Sequence, residues 1–300
     1  MEGLRRKVND WDEEDEFKII SEHLSKDGQV IIERDSEKII FEGNQLPKLS
    51  PFESIVKLLN QEEKISPLKE EFNKIILTSP EKDFEIIWKT STSILERFQV
   101  DSPNDLKDTD LPIFMKFPLA YGCLPEIFNK IKDIFMEIFD TVEDIKVEFA
   151  PTDHEIPEPF SYITKETTIS FKEKGVFDWI SQKAISSGML KTLMYISELY
   201  LSPEGSVILI DEFENSLGVN CIDSVTDLIL ENPRLQFIIT SHHPYIINNI
   251  GNKYWKIVTR QGNIVKVKQP EELGISQSRH QGFIDLINIL EESPEEVEAE

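Results

Sequence analysis

The stretch VILIDEFENSLG, residues 207 to 218, holds residue types suited to chemistry at a magnesium nucleotide. Four apolar residues end in two adjacent carboxylates, Asp211 and Glu212, and a polar turn through Asn215 and Ser216 follows. A continuous apolar run of this kind reads as a buried strand, and ligands of open α/β folds sit beyond the carboxyl ends of such strands. An aspartate there can hold magnesium, directly or through water, and a glutamate can orient and polarise an attacking water. Adjacent strand residues point to opposite faces, so both acids address one site only where the chain begins to turn. The same two acids would also suit a plain turn or helix cap after a core strand.

Two further groups carry chemical potential. Ile185-Ser186-Ser187-Gly188 reads as the start of a helix, whose unpaired N–H groups and positive dipole end suit a phosphate. Taken alone it is more often an ordinary N-cap, with Ser186 or Ser187 as the capping residue. Thr240-Ser241-His242-His243-Pro244 follows the apolar run FIIT directly. A histidine at a strand end can hydrogen-bond a phosphate and register its presence, although a lone histidine is more often structural.

These groups need elements that bring them together. SVILIDE reads as a strand, DSVTDLILEN as a helix and LQFIITSHH as a second strand buried on both faces. In that order they make a right-handed βαβ unit with the strand pair parallel, which places Asp211, Glu212 and His242 on one edge. The run after Gly188 is helical, with Leu193, Ile196 and Tyr200 on one side. Upstream, QVIIERDSEKIIFEG (29 to 43) suggests a hairpin, and SPFESIVKLLN suggests a helix capped by Ser50 with Pro51 in its first turn. Residues 66 to 150 read as mostly helical, through SILERF and PEIFNKIKDIFMEIFDTV, before strands at IKVEFAP and TTISFKEKG. KYWKIVTR and NIVKVKQ form a hairpin across a Gln-Gly turn, and the end, EESPEEVEAE, reads as disordered.

Composition sets the bounds. Apolar content of 39% with 18 Phe in 300 residues supports one large or two modest folded domains. No apolar run approaches the roughly 20 residues of a membrane helix, the first residues lack the apolar core of a secretory signal, and a cytoplasmic protein is the simplest expectation. Cys123 and Cys221 make neither a disulfide framework nor a metal-ligand spacing. With 56 acidic against 32 basic residues the net charge is −24, so the average surface repels a phosphate backbone. No dense basic patch stands out, and DNA affinity should be feeble.

In their order, ISSGMLKTL, VILIDE, ENSLG and TSHHP resemble the signature, Walker B, D-loop and switch-histidine segments of the ATP-binding-cassette head found in RecF, SMC and OLD-type ATPases, a group often described as AAA-family. The resemblance is specific over about 180 to 260 and looser over 29 to 175. It implies that Asp211 holds magnesium, Glu212 is the catalytic glutamate and His242 the switch histidine. Ser186, Ser187 and Gly188 would reach a nucleotide held on a second protomer, with Asn215 and Ser216 in the facing turn. His243 stands where the family more often has serine, which leaves the choice between the two histidines open. ATP and Mg2+ are the implied cofactors, in a homodimer closed through the nucleotide site, with a nuclease or DNA as a further partner. The wider role would be DNA maintenance or anti-phage defence.

One segment departs from the pattern. None of the twelve glycines is followed by lysine, so the phosphate loop, Gly-Lys-Ser or Gly-Lys-Thr, is missing. The expectation is a fragment or misassigned start; a loop from another chain, or true loss of the loop, competes with it. The fold class expected is α/β, a P-loop NTPase-like ABC head with a mixed sheet and a helical insertion, its N-terminal part missing. The chain divides into an acidic lead-in (1–28), the rest of an N-terminal lobe with the insertion (29–175), a C-terminal ATPase lobe (176–270) and an acidic tail (271–300). A non-catalytic scaffold that keeps the head fold for protein association is the alternative. Asp108-Thr109-Asp110 could serve a nuclease, but SPNDLKDTDLP reads as a turn.

Overall fold

The computed structural model describes residues 2–4, 18–78, 102–151, 165–215 and 217–291. The chain divides into two compact units, Met1–Ile75 and Ile76–Glu300.

The first unit is an antiparallel sheet of β1 (Glu2–Leu4), β2 (Lys18–Lys26), β3 (Gln29–Arg34), β4 (Ile39–Phe41) and β5 (Asn44–Leu46), in that spatial order. The expected hairpin is β3–β4, with Ile32 opposite Phe41 and Arg34 opposite Ile39. Ile31, Ile32 and Ile39 pack with Ile55 and Ile65 from the helical segments that follow. The helix expected from Ser50 starts later: α1 is Ile55–Leu58, capped by Ser54, and α2 is Ser66–Asn73. The reason is a buried cation. The Arg34 guanidinium takes the carbonyls of Ser50 and Glu53 at 2.7 and 2.9 Å, so the chain there is held as a turn. Glu22, buried beside Arg34, accepts the Ile55 N–H at 2.9 Å and so anchors the true helix start.

Among the described residues the second unit contains three sheets, two of which share one long helix. In the first sheet β7 (Val142–Pro151), β8 (Lys165–Glu173) and β9 (Ile180–Ser181) are antiparallel; β7 and β8 are the strands expected at IKVEFAP and TTISFKEKG. Helices α3 (Pro103–Lys107), α4 (Ile113–Cys123) and α5 (Pro125–Ile138) occupy the region read as a helical insertion. Asp108 ends α3 as its C-cap. The SILERF segment lies outside the described residues. Phe117, Phe128, Ile131, Phe135, Ile145, Ile169 and Phe171 form the core here.

Helix α6 (Ser187–Leu201) joins the two cores. Leu190, Leu193, Met194 and Ile196 belong to the core just described, while Tyr195 and Leu199 pack into a second one with Ile208, Ile210, Phe213 and Ile222. The sequence suggested one apolar side; nearly the whole helix is buried, as a helix with partners all round must be.

In the second sheet, β10 (Val207–Ile210) lies between β11 (Gln236–Ile239) and β6 (Ile75–Thr78), a strand at the junction of the units. β10 and β11 are parallel, with Val207 opposite Gln236 and Ile210 opposite Ile239, and α7 (Val219–Leu230) connects them. This is the expected βαβ arrangement. One expectation fails: among the described residues β11 has a sheet neighbour on one side only, and Ile238 is 53% exposed, so the strand is not buried on both faces. After α8 (Pro244–Asn249) comes the hairpin β12 (Ile257–Gln261) and β13 (Ile264–Lys268), then α9 (Arg279–Glu291). Its register pairs Gln261 with Ile264, so the turn is Gly262-Asn263, with Gly262 at φ +61, not Gln-Gly. A glycine takes that left-handed φ without steric cost. From 252 to 269 the sequence carries Lys253, Lys256, Arg260, Lys266 and Lys268 and no acid, a local basic stretch that the chain-wide charge conceals. Among the described residues no helix is long and apolar enough to cross a membrane.

Candidate site at the carboxyl edge of the parallel strands

Because β10 and β11 run parallel and in register, both strands stop at the same edge. Asp211 and Glu212 leave β10 there, and Thr240 leaves β11 beside them. The Thr240 N–H still donates to the Ile210 carbonyl at 2.9 Å, and the Phe213 N–H donates to the Thr240 carbonyl at 3.1 Å. Between these backbone bonds the Thr240 hydroxyl makes two more. It donates to Asp211 Oδ1 at 2.5 Å and accepts the Glu212 N–H at 2.8 Å.

That clamp resolves how two consecutive acids can address one site. Glu212 sits at φ +46, in the left-handed region, so the chain turns between the two acids instead of continuing the strand. The left-handed conformation costs a non-glycine residue about 1–2 kcal/mol. Both acids are exposed, while Phe213 directly after them is fully buried against Tyr195, ring centres 5.4 Å apart. Burial of Phe213 fixes the turn from below, and the clamp fixes it from above.

His242 reaches the same edge by another route. Its N–H and its ring Nδ1 both lie 2.8 Å from Oε1 of Glu214. The imidazole is 84% exposed, whereas the Glu214 side chain is 9% exposed. Burial alone would raise the Glu214 carboxyl; bonds from the His242 N–H, its own N–H and the Ser241 hydroxyl, with the charge of His242, bring it below the ordinary glutamate value. His243 differs: it is the N-cap of α8, and its Nδ1 is buried without a hydrogen bond. Of the two histidines, His242 presents its ring outward.

The turn is tied to α6 as well. Lys191, 4% exposed, donates from Nζ to the Asn215 carbonyl at 2.6 Å. Asn215 closes the turn with its N–H on the Glu212 carbonyl at 2.8 Å. Ser216 lies outside the described residues. At the start of α6, Ser186 is the N-cap, its hydroxyl accepting the Met189 N–H at 3.1 Å. Ser186 and Ser187 are exposed and Gly188 is buried. Gln182 steadies the approach to this turn, accepting the Ile169 N–H at 2.7 Å.

The structure therefore brings Asp211, Glu212 and His242 to one edge and leaves Ser186 and Ser187 at a separate helix start. Thr240, Glu214 and Lys191 were missed by sequence reasoning. A hydroxyl one residue past a strand and a third acid in DEFE were visible, but only the fold shows that they touch the acids and the histidine.

Magnesium binds few protein carboxylates and completes its octahedron with waters and phosphate oxygens. Asp211, exposed and oriented by Thr240, fits that role. Among the described residues no three His, Cys, Asp or Glu side chains gather into a cage of their own, and a phosphate-completed magnesium requires none. The phosphate cradle is a different matter, since no Gly-Lys pair occurs anywhere in the sequence.

Comparison with known proteins adds the following. The model of a family described as "AAA domain, putative AbiEii toxin, Type IV TA system" matches residues 11–248. No curated protein matches. Among solved structures, the SmcHead bound to the C-winged helix domain of ScpA matches with a TM-score of 0.43 and 16% identity, over 81% of this chain and 68% of that one.

Proposed function

This chain belongs to the AAA-domain family of the putative AbiEii toxin, and on that footing we propose that it acts in ATP binding and hydrolysis, as part of a dimeric ATPase. In this reading Asp211 holds the metal, Glu212 polarises the attacking water and His242 contacts the terminal phosphate. Ser186, Ser187 and Gly188 address a nucleotide carried by a second protomer, and the Asn215-Ser216 turn faces it. Bound magnesium would neutralise charge on the phosphates. The observation that carries the reading is the clamp: parallel strands in register, with one threonine hydroxyl bonded to both consecutive acids. The wider role in this reading is DNA maintenance or anti-phage defence, with a nuclease or DNA as a further partner.

A non-catalytic scaffold is the competing reading, favoured by the lack of any glycine followed by lysine. Calorimetry with ATP and Mg2+ separates the two. The 300-residue chain alone should bind ATP weakly, because the backbone cradle and its lysine supply most phosphate contacts. Joined to a Gly-Lys-Ser/Thr loop segment it should bind and hydrolyse. Glu212→Gln should then abolish turnover and keep binding, and Asp211→Asn should weaken magnesium-dependent binding. Low-micromolar ATP binding by the chain alone would overturn the loop argument. Turnover by Glu212→Gln within a few-fold of wild type would remove Glu212 from catalysis.

A further inference from the structure

A concave region separate from the carboxyl edge lies where α3, α5, α6 and α7 meet. It is a cavity of about 420 Å³, within the range of small-molecule sites. Lys107 at the end of α3, Lys130 of α5 and Arg234 in the turn after α7 bring three cations to it. Leu199, Tyr200 and Leu228 give it an apolar wall with one aromatic ring.

Three cations in one cavity need a reason in a chain with 56 acidic and 32 basic residues. Cations often neutralise the carboxyl ends of helices, and α3 and α6 both end here. Another lysine already fills that role. Lys116, itself buried, donates to the Lys107 and Leu201 carbonyls at 2.7 and 3.4 Å. Arg234 gives one bond, to the Leu199 carbonyl at 3.3 Å, and among the described residues its guanidinium makes no other. Lys130 stands 5.0 Å from the centre of the Tyr200 ring. Among the described residues none of the three cations belongs to an ion pair. Their proximity is unfavourable as it stands. Burial first, and then the charge of Arg234, push the Lys107 ammonium down, against Glu204 and Asp108, which act the other way.

Arg234 is also held in place. Its N–H donates to Asn232 Oδ1 at 3.0 Å, and its carbonyl accepts the Gly205 N–H at 2.9 Å. Most donors of its planar fork remain for an oxyanion, which that geometry matches. Glu231, the C-cap of α7, is the one acid among the lining residues, so three cations less one acid leave two positive charges.

We propose that this cavity binds a small organic anion, a phosphate monoester with an apolar body. Arg234 and Lys107 hold the phosphate with Lys130 as the third cation, and the body lies against Tyr200, Leu199 and Leu228. The two negative charges of such an ester balance the two positive ones. Ser186 caps the opposite end of α6, about 20 Å from Tyr200 along the helix. The cavity is therefore distinct from the turn at Ser186, and its ligand does not depend on the ATPase reading.

Backbone-amide NMR titration of the 300-residue chain, without metal or nucleotide, tests this with phenyl phosphate, inorganic phosphate, benzoate and phenol as probes. Phenyl phosphate should shift the amides of Lys107, Tyr200, Leu228 and Arg234 saturably. It should bind at least tenfold more tightly than the others, which lack the body, the second charge or all charge. Arg234→Gln and Lys107→Met should each weaken it at least tenfold, the usual minimum for a lost bond to a charged group. Arg234→Gln also removes the bond to Leu199, so Lys130→Gln, which breaks no hydrogen bond among the described residues, guards against a folding defect. That variant should bind several-fold more weakly with the rest of its amide spectrum unchanged. No saturation by about 10 mM phenyl phosphate, or shifts centred outside the cavity, overturns the site. Phenol binding as tightly as phenyl phosphate refutes the role of the cations. Benzoate or inorganic phosphate doing so refutes the phosphate monoester. Equal affinity in wild type and all three variants would sink the proposal as a whole.

Discussion

Thr240→Val exchanges a hydroxyl for a methyl group and leaves the shape of the side chain unchanged, so it isolates the clamp. Two bonds disappear: the one donated to Asp211 Oδ1 and the one accepted from the Glu212 N–H. A hydrogen bond to a charged group contributes about 1.5–3 kcal/mol and a neutral one about 0.5–1.5 kcal/mol. Thr240, Asp211 and Glu212 are all exposed, so water replaces part of what is lost and the low end of each range applies. That gives about 2 kcal/mol. Glu212, freed of its tether, can relax from φ +46 toward an ordinary conformation and recover about 1 kcal/mol of left-handed strain. The net expectation is a loss of about 1 kcal/mol, or about 2–4 °C in the midpoint of a unit of this size. The assay is paired thermal and urea unfolding of wild type, Thr240→Val and Thr240→Ser, with amide exchange at Glu212 as the local readout. Serine retains the hydroxyl and should track wild type. A valine variant as stable as wild type, with unchanged exchange at Glu212, would mean that the hydroxyl organises nothing and that Phe213 burial alone sets the turn.

Three further outcomes follow from the same contacts. Glu212→Gly should leave stability unchanged or raise it by about 0.5–1 kcal/mol in urea unfolding, since glycine takes φ +46 freely, while removing the carboxylate that catalysis would need; a clear loss of stability would show that the Glu212 side chain supports the fold. Lys191→Met keeps the buried stem but loses the bond to the Asn215 carbonyl, and amide exchange at Asn215 and Leu217 should quicken about tenfold, equal to about 1.4 kcal/mol, with rates unchanged if the turn stands without the lysine. Lys116, buried between the Lys107 and Leu201 carbonyls, has its ammonium pushed down by burial to about 8. The unfolded chain then binds more protons between that value and the ordinary lysine range, so stability should rise with pH there, by up to about 1.4 kcal/mol per unit. Urea midpoints from pH 8 to pH 9.5 should show that rise in wild type and a flatter course in Lys116→Met; parallel curves would refute it.

What was legible in the sequence followed from short-range physics. VILI and QFII could only be buried or half-buried strands, the helix between them set the parallel pairing, and the acids and histidine then had to fall on one edge. The errors came from long-range contacts that a local pattern does not contain. Ser50 lost its capping role to Ser54 because Arg34, distant in sequence, claims the Ser50 and Glu53 carbonyls. β11 read as fully buried because its apolar run is continuous, but exposure alternates along the strand and the face that carries Ile238 is open, 53% exposed. Glu214, the third acid of DEFE, carries no signal of its own in the local pattern, and the fold leaves its side chain only 9% exposed beside His242.

Departures from local rules gather at this edge, and their distribution bears on function. Among the described residues three non-glycine residues have positive φ. Asp27 and Glu42 each stand before a glycine in a turn joining antiparallel strands, where such a conformation is ordinary, but Glu212 leaves a strand of a parallel pair. The described titratable side chains with a buried, unbonded polar atom are Tyr195, Glu214 and His243. Glu214 bonds the loop that carries His243, and burial, helped by the charge of Glu214, pushes the Tyr195 hydroxyl up. Lys191, a buried lysine, ties the same turn. A turn needed only to end a strand could be built from glycine and neutral side chains at lower cost in strain and desolvation. Strain and buried charge persist where the surrounding structure over-determines them, and they concentrate at sites of function. The edge formed by Asp211, Glu212, Thr240 and His242 meets that description without reference to any motif, which gives the ATPase reading a physical support separate from the family match.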